Sequence, residues 1–145
     1  MSEAGKIYDQ AIARLKVKHL KRTRQREALI AVLTKKHGPF TMDEFQKLIR
    51  PVTCDLVTIY RCLAQFEEIG LVRRCDFGDG VARYELADEN EHHHHVICRK
   101  CQRVENFEDD CLLETLEKIV RKRGFEDVSH SLEFFGVCPR CRQSN

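Results

Sequence analysis

No stretch of this chain approaches the roughly 18 consecutive apolar residues of a membrane span. The opening residues MSEAGKIYDQ hold no apolar signal core, so the expectation is a cytoplasmic protein with no membrane partner. Tryptophan is absent, and no internal repeat or low-complexity tract occurs beyond one short histidine run. Two catalytic zinc signatures are also missing. There is no His-Glu-x-x-His, and no His-x-Glu followed by Pro-Cys-x-x-Cys, because Pro139 lies inside a cysteine pair instead of before it. These absences weigh against a zinc hydrolase or deaminase, and the chain reads as a non-enzyme.

The 145 residues are 42% hydrophobic, enough for one ordinary domain or two small ones. The net charge of +2 is unevenly spread. Residues 1–84 carry 16 Lys and Arg against 10 Asp and Glu, and residues 85–145 carry 9 against 13. A basic half beside an acidic one suggests a nucleic-acid-binding domain joined to a regulatory domain. Seven basic residues and no acid occur between Arg14 and Arg26.

Apolar spacing predicts helices over 3–18, 24–36, 42–49 and 56–69. Thr23 caps the second, and Thr41 with Glu44 forms a capping box for the third. Asp55 or Thr53 caps the fourth, and Gly70 ends it. In that fourth helix Leu56, Ile59, Leu63 and Phe66 make a buried stripe, with Thr58, Arg61, Gln65 and Glu68 opposite. Alternating segments 72–77 and 81–86, joined by a flexible Gly78-Asp79-Gly80 turn, predict a hairpin. Helices followed by a hairpin make a winged helix-turn-helix.

The second half predicts strands over 93–98, 104–109 and 127–137. A helix is expected over 111–123, with Leu112, Leu116, Ile119 and Val120 inward. The expected fold class is therefore α+β: a winged-helix domain over 1–86 and an α/β metal-binding domain over 87–145.

Eight cysteines in a cytosolic chain favour metal ligation over disulfides. Cys98/Cys101 and Cys138/Cys141 are two Cys-x-x-Cys pairs, which match a closed, structural, four-thiolate Zn2+ site. The four histidines His92–His95 then need another metal. In a strand, alternate side chains share a face. His92 and His94 face one side, His93 and His95 the other, and each pair needs distant partners. Candidates are His37, Glu85, Glu105, Glu108, Asp110 and His130. Imidazole with carboxylate suits zinc, iron or manganese. Cys54, Cys62 and Cys111 read as small apolar residues, whereas Cys75 stands on a strand from which a thiol could reach a metal.

Together these residues resemble the ferric uptake regulator superfamily of bacterial metal- and peroxide-responsive repressors. The resemblance rests on Thr58-Ile59-Tyr60-Arg61 with Leu63, Phe66 and Gly70, on HHHHVICRKC, and on RGFEDVSHSLEFFGVCPRC. It implies a homodimer that binds a palindromic, AT-rich, double-stranded DNA operator and controls uptake of iron or zinc. Tyr60 would touch bases, Thr58 and Arg61 phosphates, and Lys21 the minor groove. The structural zinc falls on Cys98, Cys101, Cys138 and Cys141. A sensing site falls on Glu85, His93 and His95, with His37 added nearby. A second site falls on His92, His94 and His130, with Asp110 added.

Some positions depart from the family pattern. Asn106 replaces an acidic ligand that peroxide sensing uses. Leu113 replaces the helix carboxylate of the second site, with Asp110, Glu114 or water as substitutes. Pro39 stands where the family has a histidine. Extra histidine tilts the regulatory metal toward Zn2+, and Glu85 tilts it toward Fe2+, with Mn2+ a third candidate. Alternatives are a peroxide-sensing regulator of this family and a zinc-binding adaptor without DNA binding.

Overall fold

The computed structural model describes residues 2–36, 38–87, 93–108 and 113–144. Three predicted metal ligands, His37, His92 and Asp110, lie outside these residues, as do Cys111 and Leu112. The chain divides into two compact units, Met1–Asp88 and Glu89–Asn145.

The first unit runs α1 (Glu3–Val17), α2 (Arg24–Lys35), β1 (Phe40–Thr41), α3 (Met42–Leu48), α4 (Leu56–Glu68), β2 (Val72–Asp76) and β3 (Ala82–Leu86). Each helix starts on a side-chain cap, from Ser2, Thr23, Thr41 and Asp55. Such caps contribute about 1 kcal/mol each. The expected capping box is complete: the Glu44 N–H donates to Thr41 Oγ1 at 3.2 Å, and the Thr41 N–H donates to the Glu44 carboxylate at 2.7 Å. Of the two candidate caps for α4, Asp55 does the work, accepting the Thr58 N–H at 2.7 Å. Gly70 ends α4 at φ 69°, a left-handed turn that favours glycine.

Leu29, Ile30, Phe45, Ile59, Leu63 and Phe66 are fully buried, and Tyr84 of β3 joins them. Leu56 departs from the expected buried stripe and is 42% exposed. It opens α4, one turn ahead of the residues that pack.

β2 and β3 pair antiparallel, with Arg73 opposite Glu85 and Cys75 opposite Arg83. β1, a two-residue strand not expected from the sequence, pairs with the other edge of β3. The turn between β2 and β3 is tied down, contrary to expectation. The Gly78 N–H donates to Asp76 at 2.9 Å, and the Arg83 guanidinium donates to both Asp79 oxygens at 3.1 and 2.7 Å. Helices followed by this tied hairpin make the first unit a winged helix-turn-helix.

The second unit runs β4 (His93–Cys98), β5 (Val104–Glu108), α5 (Leu113–Arg121), β6 (Glu133–Gly136) and α6 (Pro139–Gln143). β4 is central, antiparallel to β5 and parallel to β6. The expected strand over 127–137 shrinks to Glu133–Gly136, the residues that pair with β4, and Asp127 at its expected start takes a left-handed φ of 50°. The short α6 was not expected. Pro139 opens it, and the Cys138 sulfur caps it by accepting the Cys141 N–H at 3.5 Å.

A second correction concerns α5. Leu116, Ile119 and Val120, expected inward, are 53%, 46% and 37% exposed. Phe134 and Phe135 of β6 are also exposed. Among the described residues of this unit, only His94, His95, Ile97 and Cys98 are buried. Among its described residues this sheet therefore has little apolar core.

Candidate metal centres and nucleic-acid interface

Cys98 ends β4, Cys101 follows in the next turn, Cys138 caps α6 and Cys141 lies in its first turn. Their four sulfurs all lie within 4.8 Å of one another, with Cys101 and Cys138 at 3.8 Å. Four sulfurs about 2.3 Å from one zinc form a tetrahedron with edges of about 3.8 Å, so the donor set fits that ion.

Backbone donors prepare two of the thiols. The Cys138 N–H, 3.3 Å from the Cys98 sulfur, and then the Cys101 N–H pull Cys98 down to about 6. Cys101 also lies below the ordinary thiol value, chiefly through the Arg103 N–H. Cys141 is pushed up to about 12, first by the Cys138 sulfur and then by that of Cys101. A bound cation removes this last obstacle, since it favours the thiolate on every ligand at once.

The strand β4 separates the histidines as alternation requires. The rings of His93 and His95 lie 5.2 Å apart, centre to centre. Opposite them on β5 stand Glu108 and Asn106, paired with His93 and His95 respectively. Glu108 therefore shares their face. Glu105, another candidate, pairs with Val96 on the other face and forms an ion pair with Arg103 at 2.9 Å.

His94 turns the other way, 5.6 Å from the Phe107 ring and 6.4 Å from that of His130. His130 in turn meets Glu117 of α5, with Nδ1 2.5 Å from the carboxylate oxygen. His130 first, and then Arg121, hold the Glu117 carboxyl below the ordinary range. The sequence reading passed over Glu117. Its signal was periodic: it lies one helical turn beyond Leu113, on the same face.

Glu85 of β3 is buried, and its Oε1 accepts from Arg73 Nε at 2.5 Å and from the Cys75 thiol at 3.5 Å. Cys75 is thus adjacent to a candidate metal-binding carboxylate.

In the first unit α4 presents an exposed face of Val57, Tyr60 and Arg61. Tyr60 is 53% exposed, and Val57, which the sequence reading did not single out, is 60% exposed. An apolar patch beside a guanidinium suits thymine methyls and neighbouring phosphates. Thr58 is held back, its hydroxyl donating to Asp55 at 3.2 Å. A groove of about 450 Å³ beside it is lined by Gln25, Gln46, Arg50 and Thr53 among others. Lys21 is exposed between α1 and α2, and its carbonyl accepts from the Arg26 guanidinium. Arg26 also donates to Gln65 at 2.6 Å, and Arg22 pairs with Glu27, so these two of the seven basic residues brace the fold.

The model of the ferric uptake regulator family matches residues 17–135. The chain is 36% identical to the ferric uptake regulation protein of Bacillus subtilis, over 83% of this chain and 85% of that one. It is 30% identical to the peroxide-responsive repressor PerR of Staphylococcus epidermidis, over 93% and 90%. The match to the ferric uptake regulation protein of Legionella pneumophila is 41% identical, over 60% of this chain and 63% of that one. Among solved structures, the Helicobacter pylori ferric uptake regulator, described as having three functional metal binding sites, superposes with a TM-score of 0.77. That likeness covers 97% of this chain and 95% of the other at 25% identity. With a cysteine cluster of zinc geometry, histidines on both faces of one strand and a winged helix ahead of them, the chain belongs to the ferric uptake regulator family of metal-responsive regulators.

Proposed function

We propose that this protein is a dimeric, metal-dependent transcriptional repressor that binds palindromic, AT-rich operators and controls iron or zinc homeostasis. The observation that carries this reading is the exposed face of α4, where Tyr60 and Val57 stand beside Arg61 in the basic unit. On this reading Tyr60 and Val57 read bases, Arg61 and Lys21 hold phosphates and the minor groove, and Thr58 supports them.

Glu85, His93 and His95 form the sensing set, with His37 as a further ligand. His92, His94, His130 and Asp110 form the second set. Zinc on the four cysteines is structural, and Fe2+, Zn2+ or Mn2+ is the regulatory ion. Coupling between metal and DNA of this kind is typically about 1–3 kcal/mol and is reciprocal. The exposed apolar side of α5 and β6 supplies the dimer contact, and two-fold symmetry then matches a palindromic site.

Peroxide sensing, the activity named for the Staphylococcus relative, is the second reading. Asn106, directly opposite His95, disfavours it, because an amide replaces the carboxylate that this chemistry uses.

The test is operator binding by zinc-replete protein titrated separately with Fe(II), Mn(II) and Zn(II). One of these metals should tighten operator binding well beyond random DNA. Tyr60→Ala should remove the preference for operator while leaving the weak, salt-sensitive binding to random DNA. Equal losses on both DNAs would overturn the assignment of α4.

A further inference from the structure

The β2–β3 register sets Arg73 directly across from Glu85, on the same face of the ribbon. Cys75, two residues along β2, shares that face. Both side chains reach one atom. Glu85 Oε1 accepts from Arg73 Nε at 2.5 Å and from Cys75 Sγ at 3.5 Å. The two partners differ sharply in their access to water. The Glu85 side chain is 4% exposed and that of Arg73 is 41% exposed.

This asymmetry has a consequence for any ion that Glu85 binds. A buried carboxylate without a counter-charge is strongly disfavoured. Arg73 supplies that charge through a charge-assisted hydrogen bond. A guanidinium 2.5 Å from Oε1 repels a divalent cation drawn to the same carboxylate. Glu85 is held inside, whereas the Arg73 side chain is partly exposed and can turn its charge toward water.

We propose that Arg73 is the resident cation of the Glu85 site. It holds the carboxylate when the regulatory metal is absent, gives it up when a divalent metal binds, and so raises the metal concentration at which the protein responds. This rests on the assignment of Glu85 to the sensing set. The exchange transfers no electrons and breaks no covalent bond. The Arg73 Nε–H···Oε1 contact is replaced by a metal–oxygen contact.

The experiment uses full-length protein with its cysteine-bound zinc retained. Zn(II) and Mn(II) are titrated in competition with a chromophoric chelator, for wild type and for the Arg73→Gln, Glu85→Gln and double variants. Removing the guanidinium should tighten the regulatory metal on the order of tenfold, the scale of a charge-assisted hydrogen bond. That gain should vanish in the Glu85→Gln background, where metal binding is already weak. A folded Arg73→Gln protein with wild-type or weaker affinity would overturn the role of Arg73, while a weakened Glu85→Gln protein would keep the sensing set intact. A Glu85→Gln protein that binds metal as wild type does would overturn the sensing set itself, and the Arg73 proposal with it.

A measurement on the wild-type protein guards against misfolding of the variant. The Arg73 Nε–H signal in the nitrogen-15 spectrum should be protected from exchange without regulatory metal. With saturating Zn(II) it should move to the position of a free guanidinium, and a signal that stays in place would also overturn the exchange.

Discussion

Glu117 of α5 and His130, thirteen residues later, meet with a carboxylate oxygen 2.5 Å from Nδ1. A carboxylate on one ring nitrogen fixes the tautomer and turns the other nitrogen into the metal-facing one. Leu113, where the family places a carboxylate, can do nothing of the kind. Glu117→Gln should therefore weaken a metal held by the proposed second set about 10- to 100-fold, the usual effect of losing such a partner. The cysteine zinc should be unaffected. Metal stoichiometry and chelator competition on protein washed free of loosely bound ions will check this, and unchanged affinity would remove Glu117 from the site.

Cys138 has two structural duties, as one of the four clustered thiols and as the cap of α6. Cys138→Ser should lose zinc and unfold the second unit, because structural zinc supplies apparent folding energy on the order of 10 kcal/mol. The winged helix, with its own core, should remain. Zinc content together with hydrogen exchange resolved by unit is the measurement. A zinc-replete, fully protected second unit in this variant would refute the structural role.

The exposed side of α5 gives a test of the dimer. Ile119 is 46% exposed in the single chain, beside Leu116 and Val120. A charge placed there costs little in a monomer and several kcal/mol in a desolvated interface. Ile119→Glu should sediment as a monomer with an intact cysteine zinc. A dimer of wild-type stability would place the partner contact elsewhere.

Acid should loosen the first unit in a predictable direction. Asp79 lies below the ordinary carboxylate value chiefly because of its hydrogen bonds from Arg83, and Asp55 chiefly because it accepts the Thr58 N–H. A carboxyl whose folded value is depressed contributes stability that is complete above its unfolded value, about 3.9. That contribution fades as pH falls through the lower folded value. Asp79→Asn should destabilise the unit by roughly 1–2 kcal/mol at neutral pH, since Arg83 keeps its charge but loses its anionic partner. It should also flatten the decline of stability below about pH 4. Denaturant melts across pH 2.5–7 would show this, and an unchanged acid limb would contradict it.

Much of this protein is determined by local sequence alone. The cap at Thr23, the Thr41–Glu44 box, Gly70 and the alternation of the histidines are short-range effects, read from neighbours within four residues. The cysteine pairs belong with them, because a Cys-x-x-Cys turn presents two sulfurs whatever surrounds it. What the sequence left undecided depends on contacts between distant residues. Whether Leu116, Ile119 and Val120 face a core or a partner cannot be told from their spacing, since an amphipathic helix looks the same in both cases. The strand that alternation places over 127–137 is paired with β4 only at Glu133–Gly136. Glu117 found His130, and Arg73 found Glu85, only because a helix face and a strand register brought them together. Periodicity states which side chains share a face, and tertiary packing decides what that face meets.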